Sequence, residues 1–194
     1  METFFFESGL GWTTSKVLPY IVFILIGTVL MILARKKVRS KKVRIASISL
    51  VIIPVAIYFT FNPIYESDFS NDFISNGPNF NVSAEDHLTV IAIPNCLFCQ
   101  EALERLLKIQ KRTSSKQIDF KVLTSDTLAL EAYEDVADGL VNVIMEKDFS
   151  LHEKISESSF PTFVYSSSHE TRVWHNDQIG TSAFDWLEDQ LIAD

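Results

Sequence analysis

The chain has only two cysteines and six glycines among its 194 residues, and each shortage narrows what it can do. No glycine-rich loop is present to cradle a phosphate, and no nucleophilic-serine motif, repeat array or low-complexity tract supports another enzyme class. The four histidines, His87, His152, His169 and His175, have no metal-like spacing, so neither a metal nor a cofactor is expected. The opening residues, METFFFESGLGW, lack the basic region of a cleaved signal peptide, and the first positive charge, Lys16, directly abuts a long apolar segment. The two cysteines, Cys96 and Cys99, are three apart. A disulfide between them closes too small a loop to remove much unfolded-chain entropy, so the pair is better suited to opening and closing than to stapling.

What the N-terminal third has in quantity is apolar sequence. Residues 17–34 and 45–61 are nearly uninterrupted apolar segments without charge, close to the ~17 to 25 residues that cross a bilayer core as helix. Both are read as transmembrane helices, because their all-round apolarity suits lipid better than the core of a soluble protein. Pro19 falls in the first turn of the first segment, and Pro54 is expected to kink the second. Between them, residues 35–44 read RKKVRSKKVR, seven basic side chains in ten positions, which assigns this loop to the cytoplasm. The N-terminal segment, residues 1–16, and everything after residue 61 then lie outside the inner (cytoplasmic) membrane, in the periplasm or an equivalent extracytoplasmic compartment. Phe4, Phe5, Phe6 and Trp12, with Tyr58 and Tyr65, suit an interfacial aromatic belt. The basic loop can also meet anionic headgroups, and the lipid bilayer is the first partner implied.

The overall charge of −8 hides a split. Residues 1–61 carry eight basic and two acidic side chains, whereas residues 62–194 carry nine basic and twenty-three acidic, net −14. So acidic an exported part argues against nucleic-acid binding.

Residues 62–85 form a polar connector in which Gly77 and Pro78 mark a turn. Phe69 and Phe73 have i, i+4 spacing, which predicts a short helix docked on the domain or on a membrane partner. From residue 86 to 194 strand and helix patterns alternate, which predicts an α/β layer architecture. Strands are expected at 88–93, 118–123, 141–145, 162–165 and 171–175. Helices are expected at 96–110, at 127–137 capped by Asp126 and stopped by Gly139, at 149–155, and from about Ser182, with Asp185 completing a capping box. Asp185, Glu188 and Asp189 read as the solvated face of that last helix.

This order of elements, with Cys96-Leu97-Phe98-Cys99 at a strand-to-helix junction and Phe160-Pro161-Thr162 entering a hairpin strand, resembles the thioredoxin fold. Within it, the chain resembles the TlpA/ResA-like membrane-anchored thiol-disulfide oxidoreductases, over about residues 86–194. Gly180 before the last helix and an extra helix and strand over 127–145 match further features of that family. The expected whole is a thioredoxin-like α/β domain preceded by a two-helix transmembrane hairpin. The resemblance implies that Pro161 is cis and faces the dithiol, and that Phe160 offers backbone contacts to an extended substrate. This sequence departs from the thioredoxin pattern in having Asn95 where tryptophan usually precedes the first cysteine, Leu97 and Phe98 in place of Gly-Pro, and no carboxylate in the strand LTVIAI.

A cysteine at a helix N-terminus faces unpaired amide donors and the positive end of the helix dipole. Together with the resemblance, this makes Cys96 the expected nucleophile and Cys99 the resolving thiol of a mixed disulfide. Leu97 and Phe98 offer the thiolate no charge or side-chain hydrogen bond, and so point to a reductant or isomerase and to an apolar docking surface for protein thiols and disulfides. Since the two membrane segments contain no cysteine, electrons require a separate membrane donor or acceptor. Two other readings stay open: a non-catalytic thioredoxin-like subunit of a membrane assembly, and a Cu(I) chaperone in which both thiolates bind the soft metal.

Overall fold

The structure is a computed structural model and describes residues 2–37, 47–75, 87–113 and 118–192. The chain divides into two compact units, Met1–Asp68 and Phe69–Asp194.

In the first unit, α1 (Glu2–Glu7) packs on α2 (Trp12–Lys37), with the Phe6 and Trp12 ring centroids 4.2 Å apart. At 26 residues α2 is roughly 39 Å long, enough for a hydrocarbon core of ~30 Å. Among the described residues only 17% of its most apolar stretch is buried. Ile21, Leu25, Val29 and Leu33 are exposed. The helix outruns the expected 17–34 at both ends: nothing breaks it before Val17, and Arg35, Lys36 and Lys37 complement the negative end of its dipole. A second apolar helix, α3 (Ser49–Phe61), contains Pro54 and packs on α2 through Tyr58, whose ring lies 4.9 Å from Tyr20 and 5.2 Å from Phe23. The Tyr20 hydroxyl donates to the Asn62 carbonyl. Among the described residues α2 alone is long and apolar enough to span a membrane. Residues 38–46, with most of the expected basic loop and the start of the expected second span, lie outside the described residues, as do the Gly77-Pro78 turn and Phe80.

The second unit is a layered α/β domain. Its strands are β1 (Ile74–Ser75), β2 (His87–Ala92), β3 (Ile118–Leu123), β4 (Asn142–Glu146), β5 (Thr162–Ser166) and β6 (Thr171–Trp174). Its helices are α4 (Leu97–Thr113), α5 (Thr127–Ala137), α6 (Phe149–Ser156) and α7 (Thr181–Ile192). The strands form one sheet in the order β1-β6-β5-β2-β3-β4. β2, β3 and β4 run parallel, and β5 and β6 are antiparallel to their neighbours. β2 is buried almost throughout, as the continuous apolar run requires of a central strand. Ile118, Phe120 and Val122 of β3 are buried in alternation with half-exposed Asp119 and Lys121. On the other face Ile91, Leu123, Ile155, Val164 and Val173 form a core cluster. A central strand that runs into a helix at the dithiol, a parallel neighbour, and a β5–β6 hairpin closed by α7 make this a thioredoxin-like mixed α/β fold.

Four local expectations need correction. Phe73 is not on a helix: a 3₁₀ turn covers Glu66–Phe69, after which the chain extends and β1 pairs with β6. The Arg172 guanidinium lies 4.3 Å from the Phe73 ring and 3.9 Å from that of Trp186, and cation–π stacking with strand addition outweighs the i, i+4 pattern. Helix α5 has the expected bounds, but its left-handed stop begins at Asp138, at φ 49°, and continues through Gly139, at φ 70°. Helix α7 begins at Thr181, with the Phe184 amide donating to the Gly180 carbonyl, so Ser182 lies inside the helix and cannot be its cap. Glu188 is not solvated. It is 6% exposed and pairs with Arg112 of α4 at 2.9 Å.

Candidate functional site

The parallel strands all end at one edge of the sheet, and the loops that leave them carry the candidate chemistry. β2 ends at Ala92, and residues Ile93 to Asn95 turn the chain into α4. Asn95 sits in the left-handed region at φ 57°, which asparagine tolerates. Cys96 is the residue before α4, and its carbonyl accepts the first helical hydrogen bond, from the Gln100 amide at 3.1 Å. Its sulfur accepts from the Cys99 amide, also at 3.1 Å. Cys96 therefore occupies the N-cap position, with sulfur in place of the usual oxygen.

The two sulfurs are bonded, with a Cα–Cα separation of 5.2 Å. Cys96 is half-buried and Cys99 fully buried. This asymmetry offers one sulfur to an incoming partner and keeps the other inside. Between them Leu97 and Phe98 are 65% and 56% exposed, large apolar side chains left in water beside the dithiol.

The second loop reaches the same edge from β5. In the β2–β5 pairing Ile91 faces Thr162, so Pro161 enters the sheet beside the end of β2. Pro161 is buried, and the Phe160–Pro161 peptide is cis. Phe160 is half-buried and packs with Ile93 against the core cluster of Ile91, Leu123 and Ile155. The fold thus brings Cys96, Cys99, Leu97, Phe98, Phe160 and Pro161 to a single rim.

Sequence reasoning missed Tyr133. This residue of α5 is buried, and its hydroxyl donates to the Ile93 carbonyl at 2.8 Å. Burial pushes the phenol above its ordinary range, so the group stays protonated at neutral pH. The contact spans forty residues of sequence, and no spacing rule would have found it.

Three acidic groups of the loops near this edge have structural roles. Asp126 and Asp148 cap α5 and α6 by accepting from the Leu128 and Ser150 amides. Glu146, at the end of β4, accepts from the Asp148 amide at 3.0 Å and pairs with His152 at 3.2 Å. That amide bond holds its carboxyl below the ordinary range against a smaller desolvation effect, with help from His152 and Lys121. His87 lies 3.1 Å from Asp119. Among the described residues no three His, Cys, Asp or Glu side chains are grouped so as to hold a metal.

No protein family and no curated protein matches the chain. Solved structures similar to it include a secreted Mycobacterium tuberculosis disulfide oxidoreductase homologous to E. coli DsbE, at 14% identity, covering 66% of this chain and 98% of that one, with a TM-score of 0.47. M. tuberculosis DsbF, in mixed oxidised and reduced forms, is 10% identical over 66% of this chain and 99% of that one, with a TM-score of 0.49. StoA from Bacillus subtilis is 10% identical over 57% and 84% of the two chains, with a TM-score of 0.44.

Proposed function

We propose that this chain is a membrane-anchored thiol-disulfide oxidoreductase of the TlpA/ResA type, acting on protein thiols and disulfides outside the cytoplasmic membrane. The observation that carries the reading is the asymmetry of the pair: a half-exposed Cys96 capping α4 beside a fully buried Cys99. In the reducing direction the Cys96 thiolate attacks a substrate disulfide, forming the mixed disulfide and releasing one substrate thiolate. Cys99, once deprotonated, attacks the Cys96 sulfur, releasing the second substrate thiolate and leaving the Cys96–Cys99 disulfide. Leu97, Phe98 and Phe160 are the proposed docking residues, and Pro161 shapes the surface on which an extended segment lies. A separate membrane protein returns the electron pair.

Apolar Leu97 and Phe98 give the reduced form no added stabilisation, which favours a reductant or isomerase over a strong oxidant. Helix α2 supports anchorage, and the basic run after it supports a cytoplasmic loop, α3 as the return span and both termini outside.

Replacing Cys99 with Ser in the full-length protein tests the exchange reading. The variant accumulates mixed disulfides on Cys96, visible as reducible adducts on non-reducing gels, and the additional change Cys96→Ser abolishes them. Failure to trap any partner in native membranes would sink the reading. A potential against glutathione above about −150 mV, towards that of strong oxidants, would overturn the reductant or isomerase assignment.

A further inference from the structure

Two neighbouring helices start at the dithiol edge, and each presents an apolar side chain at the same position. Cys96 caps α4, and Phe98 is the second residue of that helix. Asp126 caps α5 by accepting from the Leu128 amide at 3.0 Å, and Leu128 is the second residue of that one. Both helices leave parallel strands that are in register, with Ala92 of β2 beside Val122 of β3, and they pack on each other. Their axes therefore run side by side, about 10 Å apart. Phe98 is 56% exposed and Leu128 72%. A single exposed leucine needs no partner, but this one stands one helix away from the exposed Leu97 and Phe98, and extends their apolar surface along the edge.

We propose that Leu128 forms a specificity subsite for the substrate chain, one that takes an apolar side chain about three residues from the substrate cysteine. The inference rests on the exchange reading above and deepens it by naming the substrate class. In the sheet order β5-β2-β3, Pro161 enters β5, Cys96 follows β2, and Asp126 to Leu128 follow β3. A substrate bonded through sulfur to Cys96 is thereby fixed at the middle of this edge. That covalent bond brings a polypeptide to the patch, so the occupant is the substrate protein itself. Extended over Pro161, its chain continues along the edge towards the start of α5, and a reach of about 10 Å takes about three residues at ~3.3 Å each. An apolar side chain there covers Leu128 and excludes water from it, whereas a polar one leaves the leucine wet. Asp126 is exposed beside Leu128, and residues 62–194 carry nine basic against twenty-three acidic side chains. The favoured segment is therefore neutral or basic around its apolar residue, and an acidic one is repelled. A disulfide too small to reach the start of α5 gains nothing from the subsite.

The test uses the reduced full-length protein in detergent micelles and four synthetic lysine-flanked peptides, each holding one cysteine as a mixed disulfide with glutathione. Two carry leucine three residues before or after the cysteine, and two carry serine at those places. The readout is the ratio of reduction rates, leucine peptide over serine peptide, within each protein. In wild type this ratio is expected to be about fivefold in one of the two directions. Leu128→Ser is expected to bring it close to one, and Leu128→Met, which keeps an apolar side chain, to retain it. Leu140, an exposed leucine just before β4 at the opposite edge of the sheet, serves as the control, and Leu140→Ser is expected to keep the full ratio. Equal rates for leucine and serine peptides in wild type, in both directions, overturn the inference. So does a preference that survives Leu128→Ser, which would leave the leucine to a second copy or to the bilayer, and so does one that Leu140→Ser abolishes as well. Should Leu128→Ser fail to fold, Leu128→Gln must show the same loss. Failure of the exchange reading is separately visible, because wild type then reduces none of the peptides faster than Cys96→Ser does.

Discussion

The backbone amide of Cys99 donates to the sulfur of Cys96 across 3.1 Å. In the disulfide that sulfur is a weak acceptor, but in the reduced protein a thiolate at the same place makes a charge-assisted bond at the positive end of α4. Reduction therefore strengthens a helix cap. After reduction Cys96 is expected to alkylate with iodoacetamide well ahead of the buried Cys99. Mass mapping of the modified peptide across pH checks this, and equal labelling of both residues would contradict it. Because serine is a good cap, Cys96→Ser should retain the stability that Cys96→Ala loses, about 1 kcal/mol.

Leu97 and Phe98 are exposed at the rim, where removing them sacrifices no core packing. The double change Leu97→Ser with Phe98→Ser is expected to leave the urea midpoint nearly unchanged and to raise KM for a protein disulfide about tenfold, the equivalent of about 1.4 kcal/mol of lost apolar contact. Turnover of a small disulfide such as oxidised glutathione should change far less. An unaltered KM for protein substrates would remove these residues from the docking surface.

Acid should destabilise the domain through two carboxylates. Burial acts to raise the Asp119 pKa, but hydrogen bonds from His87 and Asn142, with the charges of His87 and Lys121, more than reverse it. Glu146 is lowered chiefly by the Asp148 amide. For both, the unfolded chain binds more protons than the folded one between the lowered folded pKa and the ordinary value near 4. Their stabilisation is complete above that value and is lost as pH falls through the folded one. Urea midpoints measured from pH 7 down to 2 should drop below about pH 4, and Glu146→Gln should flatten part of that limb. An identical slope in the variant would exclude Glu146 as a source.

The Arg112–Glu188 pair joins α4, which carries the dithiol, to α7. Arg112→Ala leaves a carboxylate that is 6% exposed without this partner and should cost about 2 kcal/mol. Arg112→Ala combined with Glu188→Leu should recover much of the loss. A single variant as stable as wild type, measured by chemical unfolding, would mean that the pair is energetically silent.

What the sequence revealed and what it hid follow the range of the forces involved. The run from Leu88 to Ile93 and the Asp126 cap depend on neighbours within a few residues, and each can be read from the sequence alone. Arg35 to Lys37 read as loop from their charge, yet they extend α2, because cations at a helix C-terminus favour helix. Glu188 looked solvated because its partner, Arg112, lies 76 positions away on another helix. Phe73 matched a helical spacing, but what holds it is the Arg172 guanidinium on the far side of the sequence. Nothing local to Tyr133 distinguishes a ring that merely packs from one whose hydroxyl holds the Ile93 carbonyl forty positions back.

The Cys96–Cys99 bond is also a statement about capacity. With two sulfurs and no third cysteine, one molecule stores one electron pair and has nowhere to queue a second. On the proposed chemistry substrate and membrane donor must visit the same half-exposed sulfur in turn, so neither can be served while the other is bound. Output then scales with the number of copies in the membrane and with how quickly each is recharged, and an excess of either visitor slows the traffic of the other.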